Sequence, residues 1–164
     1  MRRILAGIAF AAFGLITAGA ASANQVKATA NPPATVTIRT DQGLGFGSIM
    51  VGPGGGTVTV APDGTRTLSG LFGLGGGFSA ASFTVEVSGD NPHYLITLPP
   101  STVLVGSGGA QMIVDTFQSF PAGSGNANPP ARQDTMTVGA MLHVGAAQAA
   151  GTYSGVFNVT VNLN

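Results

Sequence analysis

The 164-residue sequence contains no cysteine and no tryptophan, and it has only two tyrosines. Charged residues make up 7% of the chain, whereas a soluble domain typically has about 25%. The absence of cysteine excludes a disulfide framework and a thiol nucleophile. Six basic and six acidic residues do not supply the basic face that a nucleic-acid-binding protein needs. The shortage of tryptophan and tyrosine weakens the case for a glycan site, where aromatic side chains usually line the pocket.

What the chain does contain points to β-structure. It has 26 Gly and 10 Pro, together with 15 Val and 17 Thr. Valine and threonine fit a pleated, half-buried surface, and Gly and Pro favour turns. Because 44% of the residues are hydrophobic, charge-driven disorder is excluded as well.

The first 23 residues have the layout of a secretory signal peptide. Arg2 and Arg3 precede an uncharged run from Ile4 to Ala21, and Ala21-Ser22-Ala23 has the small-x-small pattern of a cleavage site. The alternative is a membrane anchor, but the run is diluted by glycine and alanine and no basic cluster follows it. We therefore predict a cleavable signal helix at 1–23 and a mature chain that starts at Asn24, with no stable membrane span after signal removal.

The mature chain alternates apolar and polar residues in short segments separated by Gly, Pro, Asn and Asp. This pattern predicts a single all-β domain over 34–164, an antiparallel β-sandwich. The stretches Gly70–Gly77 and Pro121–Arg132 are predicted to be loops, Val36 and Ile38 to share one face of the first strand, and Tyr153–Leu163 to form one final strand. The residues predicted to be buried are Val58, Val60, Phe83, Val85, Tyr94, Ile96, Val138, Leu142, Phe157, Val159 and Val161.

No catalytic or ligand-binding constellation is visible in the sequence. His93 and His143 share no local metal-ligand spacing with a carboxylate or with each other. There is no Gly-x-Ser-x-Gly elbow, and the glycine runs are not followed by a phosphate-loop Lys-Ser or Lys-Thr. We expect a protein that is not an enzyme, with no catalytic residues, no metal and no cofactor.

The order of several motifs resembles a family of small exported bacterial proteins known as domain of unknown function 4402. The most specific piece is Gly-x-Tyr-x-Gly-x-Phe-x-Val-Thr-Val, which runs from Gly151 to Val161. The other pieces, in chain order, are Leu44–Gly47, Gly56–Val60, Phe83–Val85, Tyr94–Pro99 and Val138–Val144.

The C-terminal motif also looks like the last strand of chaperone–usher pilins and of spore-coat-U-like proteins. That resemblance implies an immunoglobulin-like sandwich that lacks one strand, with a groove that the N-terminal extension of another subunit fills. The segment 24–33 is then an extension with a hinge at Pro32-Pro33, and its alternating residues Val26, Ala28 and Ala30 are the implied donor strand. The implied groove or C-terminal strand consists of Tyr153, Phe157, Val159, Val161 and Leu163.

These observations favour an exported, non-enzymatic structural subunit at the cell surface or outside the cell, reached through the periplasm. The expected partners are further copies of the chain or a periplasmic chaperone, and no nucleic acid. The alternative is a secreted β-sandwich binding module, for example for glycans, that acts as a monomer. A small exported hydrolase is the least favoured reading.

Overall fold

The computed structural model describes residues 34–89 and 92–164. The predicted signal peptide, the extension and its residues Val26, Ala28 and Ala30 lie outside the described residues. None of the described residues belongs to a helix that is long and apolar enough to cross a membrane.

The described residues form thirteen β-strands and no helix. In chain order they are β1 (Val36–Gln42), β2 (Gly45–Val51), β3 (Gly56–Val60), β4 (Arg66–Ser69), β5 (Leu71–Ser79), β6 (Ala81–Val87), β7 (His93–Thr97), β8 (Ser101–Gly106), β9 (Gln111–Phe120), β10 (Ser124–Asn126), β11 (Gln133–Val144), β12 (Tyr153–Ser154) and β13 (Thr160–Leu163).

Eight strands form the main sheet, in the order β1-β6-β11-β9-β8-β12, with β3 paired to β11 and β4 paired to β3. The twelve-residue strand β11 organises this sheet. Its first half pairs with β6 and its second half with β3, while β9 lies along its other edge. Every pairing is antiparallel.

A second layer covers the inner face of the main sheet in two separate pieces. One piece is a three-stranded sheet in the order β10-β7-β13, and the other is the two-stranded pair β2–β5, which we call the ribbon. The prediction of an all-β antiparallel sandwich is therefore confirmed.

Each piece of the second layer covers its own hydrophobic cluster. Under the three-stranded sheet lie Val85, Tyr94, Met136 and their neighbours, all with buried side chains. Under the ribbon lie Phe46 and Leu71 of the ribbon itself, packed on main-sheet residues that include Val58, Val60, Val114 and Leu142. Leu44 and Phe117 touch both clusters, so they mark the seam between the two halves.

Val36 and Ile38 are opposite Val87 and Val85 of β6, so they share one face of β1 as predicted, and Ile38 is 40% exposed. Three other local expectations from the sequence were wrong. The predicted loop Gly70–Gly77 lies mostly in strand β5, and the predicted loop Pro121–Arg132 contains the short strand β10. The predicted final strand is interrupted: it pairs with β8 at Tyr153–Ser154 and with β7 only from Thr160 onward.

The interruption has a structural cause, because this segment leaves one layer of the sandwich and joins the other. Strands that switch sheets at the corner of a sandwich do so through bends. The hydroxyl of Thr102 on β8 donates a hydrogen bond of 2.6 Å to the carbonyl of Val156, so the segment follows β8 beyond β12 before it crosses.

Candidate functional site

A groove lies beside the ribbon, above residues of both hydrophobic clusters. It encloses about 940 Å³. One wall consists of Thr40 and of residues 42–51, which include all of β2, and the other is the segment from Gln148 to Phe157. The floor belongs to the main sheet and consists of Ala81, Phe83, Leu104, Met112, Val114 and Leu142.

The floor of the groove consists of core side chains. Val114 is 1% exposed, Leu142 3% and Phe83 7%, yet all three line the groove. These core side chains therefore form the floor of the groove while they stay almost fully buried. A molecule that binds in the groove and covers its apolar lining would gain free energy from removing that surface from water.

The ribbon wall presents a strand edge without a partner. Among the described residues, β2 pairs only with β5, and β2 lines the groove along its whole length. A free strand edge carries a row of unpaired N–H and C=O groups, which is a template for a further strand.

Arg66 of β4 holds this wall in place. Its Nη1 donates a hydrogen bond of 3.2 Å to the carbonyl of Phe46, and its guanidinium lies 4.3 Å from the centre of the Phe78 ring. A Cβ at position 73 would lie 2.8 Å from Nη2 of Arg66, so glycine at that position leaves room for the guanidinium. Arg66 thereby connects the main sheet to both strands of the ribbon.

The opposite wall is braced around Tyr153. The Tyr153 hydroxyl donates to the carbonyl of Ala149 over 2.6 Å, and it accepts a hydrogen bond of 2.9 Å from Nε2 of Gln148. The same Gln148 nitrogen lies 3.3 Å from the carbonyl of Gln111 on β9. Beyond this braced corner, residues 155–159 belong to no strand.

The residues implied by the C-terminal motif divide between the groove and the core. Tyr153 and Phe157 line the groove. The ring of Phe157 lies 5.1 Å from that of Phe117 and 6.4 Å from that of Phe83, so it stands at the seam. Val159, Val161 and Leu163 pack instead against the cluster under the three-stranded sheet.

The chemistry of the groove is that of apolar contact and backbone hydrogen bonding. Its described lining contains no Asp, Glu, Lys, Arg or His, and Tyr153 is the one titratable side chain there. Polar groups at its margins are uncharged, such as Gln42, Thr102 and Thr152. The described lining thus holds no carboxylate, imidazole or amine to act as a general acid or base.

Titratable groups meet elsewhere in the structure, at places that the sequence analysis missed. Nε2 of His143 lies 2.9 Å from a carboxylate oxygen of Asp115, on the exposed side of the main sheet. Hydrogen bonds from His143 and Thr116 hold the pKa of Asp115 below its usual value. The two residues are 28 positions apart in the chain and meet through the pairing of β9 with β11. Their contact therefore could not be predicted from local sequence spacing.

A second polar pair joins a buried tyrosine to a half-buried carboxylate. The hydroxyl of Tyr94, which has no exposed surface, donates a hydrogen bond of 2.7 Å to Asp134. Burial and the neighbouring carboxylate raise the pKa of Tyr94. Within residues 34–89 and 92–164, no group of three or more His, Cys, Asp or Glu side chains is arranged to hold a metal ion.

The protein is an all-β sandwich whose second layer consists of two separate sheets, with an apolar groove beside one of them, the ribbon. Comparison with known families adds a match over residues 35–163 to the family described as Domain of unknown function (DUF4402). Since the match covers most of the chain, the protein belongs to that family. No curated protein and no solved structure matches the chain.

Proposed function

We propose that this protein is an exported, non-enzymatic structural subunit that assembles by β-strand complementation. The observation that carries the proposal is the groove between β2 and residues 148–157, which has Phe83, Val114 and Leu142 of the core on its floor. A strand inserted there would cover these side chains and lie beside the free edge of β2. The resemblance of the C-terminal motif to pilin-like subunits supports the same reading.

An extended peptide suits the groove better than a compact ligand. Strand addition supplies affinity through main-chain hydrogen bonds and specificity through alternate side chains. The groove offers both elements, since β2 has an unpaired edge among the described residues and the floor is apolar.

We propose that the segment Asn24–Asn31 is the donor. Val26, Ala28 and Ala30 alternate with polar residues, so that in an extended conformation they share one face. Lys27 falls on the opposite face, which in a groove with uncharged lining would point to solvent. These donor side chains are small, which matches a groove whose floor is already filled by core side chains.

Chain length favours a donor from another copy. From Ala34 to Thr40, where the groove begins, six extended residues span about 20 Å. Residues 24–33 reach at most about 33–36 Å when fully extended. An extension that turned back at Pro32-Pro33 would use most of its length to reach its own groove, leaving roughly four residues to fill it. An extension from a second molecule has no such limit.

Export follows from the N-terminal pattern of Arg2-Arg3, an apolar run and Ala21-Ser22-Ala23. We propose that the mature chain passes through the periplasm to the cell surface or the medium. A free strand edge beside an apolar groove invites aggregation before assembly, so a periplasmic chaperone that covers the groove is the second partner in this proposal.

The experiment uses the mature chain from Asn24, with variants that lack residues 24–31 or carry Val26→Asp. Size-exclusion chromatography and electron microscopy should show oligomers or filaments for the wild type and monomers for the deletion. Val26→Asp should impair assembly strongly, because it would bury a charge in an apolar groove. Lys27→Asp is the matched control and should assemble. A wild-type chain that stays monomeric, and is unchanged by the deletion, would reject strand exchange.

Cysteine cross-linking gives an independent test of the same contact. The chain has no cysteine, so every disulfide must come from the introduced pair. Ala28→Cys is combined in turn with Ser48→Cys and Ser154→Cys, one on each wall of the groove, and with Thr67→Cys as an exposed control on β4. Oxidation should give covalent oligomers with at least one wall position and none with Thr67→Cys, since a disulfide needs Cα atoms within about 7 Å.

The alternative function, a monomeric secreted binding module for a ligand such as a glycan, rests on the size of the same groove. Its volume of about 940 Å³ lies within the range of small-molecule pockets. Gln42, Thr102 and Gln148 would then supply polar contacts at the margin. A stable monomer that binds an oligosaccharide, and loses binding with Gln148→Ala, would favour this alternative.

A further inference from the structure

The outer surface of the ribbon carries an exposed apolar cluster that the fold does not cover. Met50 and Phe72 are direct cross-strand partners, and Leu74 lies two residues beyond Phe72 on the same strand. Their exposed fractions are 50%, 61% and 63%. We call these three residues the ribbon face.

The ribbon is apolar on both of its surfaces. Leu71 is buried in the cluster beneath the ribbon, and Ile49 and Val51 pack against that cluster, while the ribbon face points outward. Strands with near-continuous apolar runs are typical of strands covered on both sides. A clustered apolar surface that stays exposed marks an interaction site more often than scattered single residues do.

The ribbon face is continuous with the groove. Met50 and Leu74 belong to the ribbon face and also line the groove. A molecule that contributed a strand to the groove would therefore present its adjoining body to the same edge of the ribbon.

We infer that the ribbon face is the docking surface for the body of the second copy whose extension occupies the groove. This inference rests on the proposed strand exchange. In that arrangement the donor strand is joined to its own body through Pro32-Pro33, two residues that span at most about 7 Å. The donating body must then abut the mouth of the groove, where the ribbon face lies.

The surface that the second copy brings is the one beside its own Ala34. There the start of β1 and the end of β6 flank a shallow recess of about 330 Å³, lined by residues that include Thr35, Val87 and Arg132. The contact joins two different surfaces of the same chain. Such a head-to-tail contact repeats from subunit to subunit and builds a ring or an open filament.

The test compares Phe72→Lys with Phe120→Lys in the mature chain. Both phenylalanines lie on exposed strand positions, 61% and 69% exposed, but Phe120 is not among the groove residues. The concentration at which half of the protein is assembled is measured by sedimentation, with the deletion of residues 24–31 as reference. Phe72→Lys should raise this concentration about tenfold or more, because a charge would replace a ring that the second copy buries in the interface. Phe120→Lys should leave it unchanged.

The outcomes separate this inference from the proposed function. If the deletion abolishes assembly while Phe72→Lys assembles like the wild type, strand exchange stands and the ribbon face is not an interface. If neither change matters, both proposals fail. Equal loss with Phe72→Lys and Phe120→Lys overturns the inference, since any added surface charge would then have the effect. Should Phe72→Lys alter the circular dichroism spectrum, Leu74→Lys replaces it under the same criteria.

Discussion

The three-stranded sheet β10-β7-β13 and the ribbon β2–β5 cover two halves of the same main sheet, and they differ in what they bury. Strand β7 alternates regularly, with Tyr94 and Ile96 buried between exposed neighbours. Strand β5 buries Leu71 and then exposes seven residues in succession, from Phe72 to Phe78. The three-stranded sheet thus buries alternate side chains against the main sheet. The ribbon buries few side chains of β5 and borders the groove.

The contrast extends to how each half is anchored. Tyr94 ties the three-stranded sheet to the main sheet through its hydrogen bond with Asp134 at the start of β11. The ribbon depends on Arg66, whose contacts reach Phe46 and Phe78. The hydrogen bond from the buried Tyr94 hydroxyl to the Asp134 carboxylate restricts movement of the three-stranded sheet relative to β11. A long guanidinium side chain at a half-buried position allows more movement, which suits a wall that must admit a strand.

The largest expected effect concerns the packing under the two halves. Met136→Ala, in the cluster beneath the three-stranded sheet, should lower the free energy of unfolding by about 2–5 kcal/mol, because a fully buried side chain leaves a cavity. Leu71→Ala, on the inner face of the ribbon, should fall at or below the lower end of that range, since the ribbon can settle into the space. Urea denaturation of the mature chain measures both. Equal losses would mean that the ribbon is as rigid as the sheet.

A smaller effect is expected from the anchor of the three-stranded sheet. Tyr94→Phe removes the hydroxyl that donates to Asp134 and should cost about 1–3 kcal/mol at neutral pH, because the half-buried carboxylate loses a partner. Denaturation curves for the wild type and the variant give this difference directly.

The same substitution should change the dependence of stability on alkaline pH. Burial and Asp134 raise the pKa of Tyr94 above its usual value of 10.0, so the folded chain keeps this proton at a pH where the unfolded chain releases it. The stabilisation is therefore complete below about pH 10 and is lost as the pH rises further. Tyr94→Phe should flatten this alkaline loss and differ from the wild type by a constant amount between pH 7 and 9. Parallel curves above pH 10 would contradict the assignment.

The smallest effect is expected at the anchor of the ribbon, and it should be local. Arg66→Met removes the hydrogen bond to Phe46 and the cation–π contact with Phe78, worth about 1–2 kcal/mol together at a half-buried site. Hydrogen exchange should accelerate at the amides of β2 and β5 and change little in β7 and β13. Arg39→Met is the control, because that side chain is 74% exposed and pairs with Asp41 on the surface. Uniform acceleration in all four strands would show that the ribbon does not open independently.

Periodicity in the sequence was sufficient for the regular strands. Val58 and Val60 in β3, Phe83 and Val85 in β6, and Tyr94 and Ile96 in β7 were predicted to be buried, and each is. Phe157, Val159 and Val161 were predicted to be buried as well and are only half-buried. They alternate with exposed residues and pack against the cluster beneath the three-stranded sheet. Their burial is incomplete because β13 is an edge strand of that sheet.

Strand β5 was missed because its local signals favour a loop. It contains Gly73 and Gly75 to Gly77, and Gly75 and Gly76 have positive φ angles, a conformation that glycine adopts readily and strands seldom contain. Its pairing with β2 is irregular around Ser48. The pairing with β2 and the guanidinium of Arg66, which lies beside Gly73, are tertiary contacts that the local sequence does not reveal.

By itself, the sequence determined the fold class, because alternation with period two and turn residues between short segments act locally. It also contained the family motif, which the match over residues 35–163 bears out. The tertiary structure alone decided that the second layer is split, that residues 148–157 stand opposite β2, and that Asp115 reaches His143. The physical reason is that a groove and a cross-strand pair depend on which strands become neighbours. That choice is made by contacts between residues far apart in the chain, which no local pattern encodes.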